Sequence, residues 1–299
     1  MTSPHHLIIT TGTSLLGNLQ REATIATALV ERQTAAVVDF LNRQPSPLDR
    51  VCGAELNSSF QLLEQGRIQA QPTFHFCVSD TPDGQWIAEI LKAYCEPRVA
   101  HVQVHVIEGL QDHDPQRFGG EGLRNLVRLC GAIIQAAGGA YSVALNATGG
   151  YKAQIAIAAL IGSALEVPVY YKHERFDSVI AFPPMPVAFD DALITQHLSY
   201  LLALEDPHSV LEEAPAGESA SLMPLLEVLE EPDGALYTLS PLGQICLTGY
   251  LQRHPVKHAL PRPATAEERK PSSLRQDHYP IGFEDFVYRL AKDTPYVMQ

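Results

Sequence analysis

The sequence is poor in charge, and poorer still in positive charge. Charged residues fill 18% of its 299 positions, and 34 Asp and Glu outnumber 21 Lys and Arg, for a formal net charge of −13. Such a chain has no overall attraction for a phosphate backbone, so any anion site must be local, built from backbone amides and one or two placed cations. No apolar run reaches the ~18 residues that a membrane-spanning helix needs. The N-terminal MTSPHHLIITTGTSLLGNL has no basic segment ahead of its apolar one, so neither a signal peptide nor a membrane partner is expected. Cys52, Cys77, Cys95, Cys130 and Cys246 are odd in number and scattered, with no CxxC pair and no histidines at zinc spacing. They read as reduced, buried thiols of a cytoplasmic protein. Aromatics, at 7% with one Trp, are too sparse for a base-stacking platform. The rest is ordinary globular composition, 45% hydrophobic, long enough for one large domain or two.

The first two thirds alternate strand and helix signals. Leu7–Thr11, Thr73–Val78, Val99–Ile107, Tyr141–Leu145, Val167–Tyr171 and Val179–Phe182 read as strands. Glu22–Asn42, Glu55–Ile68, Gln85–Cys95, Gly122–Ala137 and Tyr151–Leu165 read as helices. That rhythm predicts an α/β fold with a mainly parallel sheet covered on both faces, whose ligands sit beyond the carboxyl ends of the strands at the switch point. Pro183-Pro184-Met185-Pro186 marks the first boundary. After it come an acidic helical stretch over Asp190–Leu204, a linker over Glu212–Ser219 and a helical reading for Ser221–Glu230. Ala235–Leu239 reads as a strand, and Ser240-Pro241 as the cap of a helix running to about Gln252, a combination that suits a small α+β winged helix-turn-helix. His254–Ser273 is a Pro-rich linker, and Ile281–Lys292 has helical spacing. The expected domains are 1–186, 187–256 as the winged-helix part, and 257–299 as linker and helical segment.

Two loops carry chemistry. Thr10-Thr11-Gly12-Thr13-Ser14-Leu15-Leu16 follows the first strand, and Asn146-Ala147-Thr148-Gly149-Gly150-Tyr151-Lys152 joins a later strand to a helix. Glycine lets backbone amides approach an anion, a helix N-terminus supplies unpaired N–H groups, the hydroxyls of Thr13, Ser14 and Thr148 add donors, and Lys152 adds a point charge. Neither loop has the order of a Walker A motif or of the dinucleotide fingerprint. For each loop taken alone, a tight turn with capping residues remains the competing reading; two such loops at one sheet edge favour an anion site.

LIITTGTSLL and ALNATGGYKAQIAIAAL, in this order and context, resemble the paired signatures of CRISPR-associated Rossmann-fold (CARF) domains, and the intervening VIEGLQDHDPQRFGGEGLRNL resembles the corresponding segment of that family. The resemblance covers roughly residues 5–185. It implies a Rossmann-like sheet and a homodimer that binds a cyclic oligoadenylate across its two-fold axis, cyclic tetra-adenylate above all, in the antiviral response of type III CRISPR systems. A symmetric four-phosphate ring needs paired anion sites, which a two-fold dimer provides. On the family pattern Gly12, Thr13 and Ser14 line one half-site, and Asn146, Thr148, Gly149, Gly150 and Lys152 the other, with Ser79, Asp80 and Thr81 in a neighbouring loop. No metal or other cofactor is implied. Some relatives also cut the ring. RNA cleaves itself when its 2′-OH is held in line with the phosphate, so the protein needs only positioning and charge stabilisation. Ser14 and Lys152 match the residue types that such relatives place there. A metal-independent ring nuclease is therefore the alternative to a pure sensor.

The C-terminal part leaves the output open. A winged helix could bind DNA, making a ring-responsive transcription regulator the third reading. But Asp190, Asp191, Glu205, Asp206, Glu212, Glu213 and Glu218 make it acidic, which argues against DNA and for a spacer or dimerisation role. The order CARF, winged helix, RelE-type mRNA interferase exists as a family architecture, and HYPIGFEDFVYRLAKDTPYV is compatible with the start of such an effector, a route to RNA or the ribosome; the ~80 residues of a RelE domain are not there, so either a truncated or absent effector or a mere docking helix is expected. Arg253 and His258 have the spacing of HEPN ribonucleases, but Pro255 breaks the helix that pattern requires. Glu268 and Lys270 lack the upstream acids of a restriction-type nuclease, and His5, His6, His101, His105 and His113 lack metal-ligand companions.

Overall fold

The apolar run Leu7–Ile9 becomes the middle of β1 (His6–Thr10), the strand around which the sheet is built. The structure, a computed structural model, describes residues 3–183, 190–206, 208–212, 215, 221–232 and 234–254. β1 pairs in parallel with β2 (Thr73–Ser79) on one side and β4 (Val143–Asn146) on the other. β3 (His101–Ile107) extends the sheet beyond β2, and β5 (Val169–Tyr171) beyond β4, both parallel. The two-residue β6 (Ile180–Ala181) lies antiparallel to β5. The order is β3-β2-β1-β4-β5-β6. The chain thus runs outward from β1 to β3 and returns to the far side of β1 with β4. The switch point of this Rossmann-like sheet lies between β1 and β4.

Period-two alternation splits the strand side chains between two cores. Leu7, Ile9, Phe74, Phe76, Val78 and Ala144 face α1 (Ser14–Leu19), α2 (Ala26–Val30), α3 (Thr34–Asn42), α4 (Gly53–Glu64) and α5 (Pro82–Cys95). Ile8, Cys77, Val143 and Leu145 face α7 (Leu123–Ala136) and α8 (Lys152–Ala164). Ahead of α7 the chain makes one short turn, α6 (Pro115–Arg117), and a π-helical stretch over Phe118–Gly122. Such stretches are rare and concentrate at functional sites.

The single helix expected over Glu22–Asn42 is broken. α2 ends where Arg32 takes a φ of 50°, and the N–H of Gln33 reaches back to the carbonyl of Ala28 at 2.9 Å. A left-handed helix end normally recruits glycine. Here tertiary contacts hold an arginine in that conformation: its guanidinium donates to the Pro82 carbonyl at 2.9 Å and lies 5.3 Å from the centre of the Trp86 ring.

The chain divides into two units, Met1–Tyr250 and Leu251–Gln299. The first includes α9 (Asp191–Gln196), α10 (Leu198–Ala203), a hairpin of β7 (Leu226–Glu231) and β8 (Gly234–Leu239), and most of α11 (Pro241–Arg253). Of the second, residues 251–254 are described. The Ser-Pro start of α11 is as the sequence predicts, with the Ser240 hydroxyl accepting from the N–H of Gly243 at 3.1 Å. The helix expected over Ser221–Glu230 is instead a 3₁₀ turn (Met223–Leu225) followed by β7. Its leucines have helical spacing, but β8 offers a full antiparallel ladder, from Leu226 opposite Leu239 to Glu231 opposite Gly234, and tertiary pairing overrides a short local pattern. α7 holds this part by its arginines. Arg124 donates to the Leu239 carbonyl at 2.7 Å and Arg128 to the Leu204 carbonyl at 3.2 Å, while Ile245 of α11 joins the second core. The boundary at Pro183–Pro186, the linker Glu212–Ser219, the start of the expected 187–256 domain and every reading from Pro255 onward lie wholly or partly outside the described residues. Among the described residues no helix is long and apolar enough to cross a membrane.

Histidines cross β1, β2 and β3 in a chain: His6 Nδ1 lies 2.9 Å from His75 Nε2, and His75 Nδ1 lies 3.2 Å from His105 Nε2. His75 is 3% exposed, and burial, reinforced by its two histidine neighbours, pushes its pKa down to about 3. The unfolded chain, with histidine near 6.5, takes up that proton first, so stability is complete above that pH and lost as pH falls. From His75 alone, about 2 kcal/mol should disappear between roughly pH 6.5 and 5. Urea unfolding at the two pH values checks this, and His75→Gln should reduce the difference.

Candidate functional site

β1 and β4 are parallel neighbours, with Ile9 in register with Asn146, so their following loops leave the sheet side by side. The first loop runs through Thr11, Gly12 and Thr13 into α1, the second through 147–151 into α8. They touch. A Cβ on Gly12 would stand 2.7 Å from the backbone nitrogen of Gly150, a separation that only a bare α-carbon permits. The hydroxyl of Thr10 donates to the carbonyl of Gly149 at 2.6 Å and fastens one loop to the other.

Beneath the crossing lies Glu55, in the first turn of α4 and fully buried. Its Oε1 accepts the N–H of Gly12 at 2.8 Å and its Oε2 the hydroxyl of Ser14 at 3.0 Å. Ser14 Oγ in turn accepts the N–H of Ala54 at 3.2 Å. A Cβ on Gly149 would lie 2.1 Å from Oε1, so the carboxyl occupies the space under the second loop as well. Burial raises the Glu55 pKa, opposed by hydrogen bonds from Gly12, from its own N–H and from Ser14.

Asn146, also fully buried, is spent inside the protein. Its amide donates to Ser58 Oγ at 2.7 Å and Ser59 Oγ at 2.9 Å, and its oxygen accepts the hydroxyl of Thr148 at 2.6 Å. It tethers the second loop to α4. Thr148 Oγ1 accepts the N–H of Lys172 at 3.0 Å, and the Lys172 ammonium is held by Asn57. Burial lowers the Lys172 pKa, with Asp177 and Glu64 opposing. The third loop joins through Tyr151, whose hydroxyl bonds the side chain of Ser79 and whose ring meets Phe118 edge-on at 5.1 Å. Within that loop Ser79 and Thr81 share a hydrogen bond of 2.9 Å, Thr81 caps α5 through the N–H of Gly84, and the N–H of Asp80 donates to the Leu110 carbonyl.

The structure thus brings the sequence-selected residues to one edge and sorts them by depth. Thr13, Ser14 and Lys152 are exposed, Gly12, Thr148, Gly150, Asp80 and Thr81 half-buried, and Asn146, Gly149 and Ser79 buried. The exposed group can meet an anion at the first turn of α8; the buried group shapes the loops. Gln154, fully buried in that first turn, accepts the N–H of Tyr151 at 2.6 Å, while its Nε2 has no hydrogen-bond partner among the described residues. Among the described residues no group of three or more His, Cys, Asp or Glu could hold a metal ion. Glu55, Tyr151 and Lys172 were not among the site residues chosen from sequence. For Glu55 the sequence gives little signal: it shares an i, i+3, i+4, i+7 face with Ser58, Ser59 and the apolar Leu62, and the burial of that face comes from the fold.

Residues 50–185 match the profile of a family of CRISPR-associated proteins, Cas_APE2256. The match takes in Glu55 and the second and third loops, and begins after the first. No curated protein matches the sequence. Among solved structures, the chain is similar to Can2 from Sulfobacillus thermosulfidooxidans in complex with cyclic tetra-adenylate (cA4), with 11% identity and a TM-score of 0.31 over 84% of this chain. The similarity spans 63% of the length of the Can2 chain.

Gly149→Ala should be costly, because the new methyl meets Glu55 and the carbonyl of Thr10, neither of which has room to retreat. A loss of about 1–3 kcal/mol is expected from such overpacking. Gly17→Ala, in the exposed part of α1 where a Cβ meets nothing, should instead stabilise by about 0.5–1 kcal/mol. Urea unfolding of the two variants reads the opposite signs.

Proposed function

We propose that this chain binds a cyclic oligoadenylate, cyclic tetra-adenylate first, at the crossing of its two glycine loops, and that it acts as a sensor in a type III CRISPR antiviral response. The observation that carries the reading is the contact of Gly12 with Gly150 at the switch point, with Lys152 at the head of the 13-residue helix that follows. Backbone amides that can be approached closely, a helix N-terminus and one exposed ammonium together form an anion site in an otherwise acidic chain. The CRISPR-associated family profile over residues 50–185 and the CARF-like loop sequences support the biological setting.

A cyclic tetranucleotide has its own two-fold symmetry, so one half-site per subunit and a two-fold homodimer would match it. The output reading follows from charge. Between Asp190 and His254 the one Lys or Arg is Arg253, which disfavours DNA and favours a spacer or dimerisation role for this part, leaving a fused or associated ribonuclease effector as the output controlled. The five free, buried cysteines suit the reduced cytoplasm.

Incubation of the protein with cyclic tetra-adenylate in EDTA, followed by chromatography, tests the reading. An intact ring that co-elutes with the protein supports a sensor. Linear di-adenylate would establish a metal-independent ring nuclease, with Ser14 and Lys152 as the catalytic candidates. Absence of binding would overturn the ring assignment. Lys152→Ala should weaken binding by about ten- to a hundredfold, the worth of a hydrogen bond between charged groups, with an unchanged melting temperature. Unchanged affinity would remove Lys152 from the site.

A further inference from the structure

Two donors of the first loop, the N–H of Gly12 and the hydroxyl of Ser14, are already given to Glu55, at 2.8 and 3.0 Å, with the exposed Thr13 between them. The carboxyl cannot swing aside. It is fully buried, Gly149 lies directly over it, and the N–H of Ala54, one residue earlier, clasps Ser14 Oγ from the same turn of α4. The groups facing it are neutral: Gly12 and Ser14 from the first loop and α1, Gly149 from the second loop, and its own N–H on α4. The cations on the elements packed around it are Lys152 at the head of α8, Lys172 after β5, held by Asn57, and Arg50 of the 3₁₀ turn Arg50–Cys52 against α4, which lies 3.8 Å from Glu174. Among the described residues no ion pair joins any of them to Glu55.

We propose that Glu55 makes occupancy of this site proton-linked: a phosphate settles on the loop crossing with the Glu55 carboxyl protonated, and binding takes up one proton. This rests on the reading of the crossing as a phosphate site.

The proton decides what Ser14 can do. A serine hydroxyl has one hydrogen and two lone pairs. With Glu55 ionised, Ser14 donates to Oε2 and accepts from Ala54, so no hydrogen is left for a ligand. With Glu55 protonated, Oε2–H donates to Ser14 Oγ, the bond from Ala54 remains, and the serine hydrogen turns outward to a phosphate oxygen. The same proton removes the repulsion between a buried carboxylate and a phosphate across one glycine loop. Burial, which raises the carboxyl's pKa, brings this protonation nearer to neutral pH.

Affinity should therefore fall about tenfold per pH unit above the pKa of Glu55 in the empty protein and level off below it. Glu55→Gln mimics the protonated form, since its amide oxygen accepts from Gly12 and its NH₂ donates to Ser14. The experiment is calorimetric titration with cyclic tetra-adenylate between about pH 6 and 8.5, in buffers of different ionisation enthalpy. Wild type should take up close to one proton at the upper end, read without any variant; Glu55→Gln should take up none and hold its affinity as pH rises. No uptake by wild type, or equal uptake by both, overturns the proposal.

A ligand-free arm separates it from the ring reading. A carboxyl with a raised folded pKa contributes stability that is complete below its unfolded value and lost as pH rises through the folded one. Wild type should lose stability relative to Glu55→Gln as pH rises, and parallel profiles overturn the proposal. Failure of both proteins to bind the ring at any pH overturns the ring reading alone. Inorganic phosphate then replaces the ring as probe, and the ligand-free profiles still decide for or against Glu55.

Discussion

The rest of the site depends on one close approach, that of Gly12 to Gly150. Two parallel strands at a switch point send their chains to opposite faces of the sheet, and ordinary side chains would keep the departing loops apart. With hydrogen at position 12 and a φ of +94° at Gly150, the two backbones pack against each other directly. The consequences go downward and upward. Below, the crossing must be supported by something small and polar that can satisfy amides from both sides, and Glu55 and Asn146 fill that role from α4 and β4. Above, the crossing leaves Thr13, Ser14 and Lys152 exposed on one surface. Depth, rather than residue type, decides which residues can meet a ligand and which hold the loops in place.

The same edge is tied to the C-terminal hairpin through packed groups. Tyr151, which ends the second loop, meets Phe118, the first residue of the π-helical stretch. Two residues on, the carboxylate of Glu227 in β7 lies so near Gly120 that a Cβ there would stand 2.3 Å from it. Arg124, one turn further, lies 3.7 Å from Glu227 and donates to the Leu239 carbonyl of β8. Burial lowers the pKa of the arginine and raises that of the glutamate, and each keeps a buried polar atom without a hydrogen-bond partner among the described residues. A pair left that incomplete adds little to stability, because desolvation offsets its attraction. Its effect is on geometry: it sets where the hairpin sits against a glycine-rich stretch whose other end touches the second glycine loop.

Strand positions and the places of the two glycine loops are legible in the sequence because they rest on local rules. The apolar run Leu7–Ile9, the Ser240 cap and the glycines of both loops are readable one residue at a time. The misses rest on tertiary context. Arg32 ends α2 in a conformation that normally calls for glycine, held there by Pro82 and Trp86, and nothing nearby in sequence announces it. The leucines before Glu230 have helical spacing, and it is the partner strand that draws them into a ladder. Asn146 stands next to the loop glycines in sequence, while the serines that accept from its amide lie on α4, 87 and 88 positions earlier, out of reach of any local reading. Glu55 reads as one more acidic residue near a helix start until the fold places it under both loops.

On the proposed reading, an acidic chain that is to hold a phosphate must keep its own carboxylates out of the way, yet this one places a carboxyl at the centre of the candidate site. The two facts are compatible because the burial that hides Glu55 from solvent also disfavours its charged form. An uncharged carboxyl is a better support for these loops than an apolar side chain, since it can accept from Gly12 and give to Ser14, and better than a permanent anion, since it does not repel what lands above. The overall charge of −13 then acts on long-range encounter, where salt screens it, while the geometry within a few ångströms of Gly12 decides what stays bound. Net charge by itself therefore does not decide whether such a protein can bind anions, and on the proposal the protonation of one buried carboxyl would weigh more.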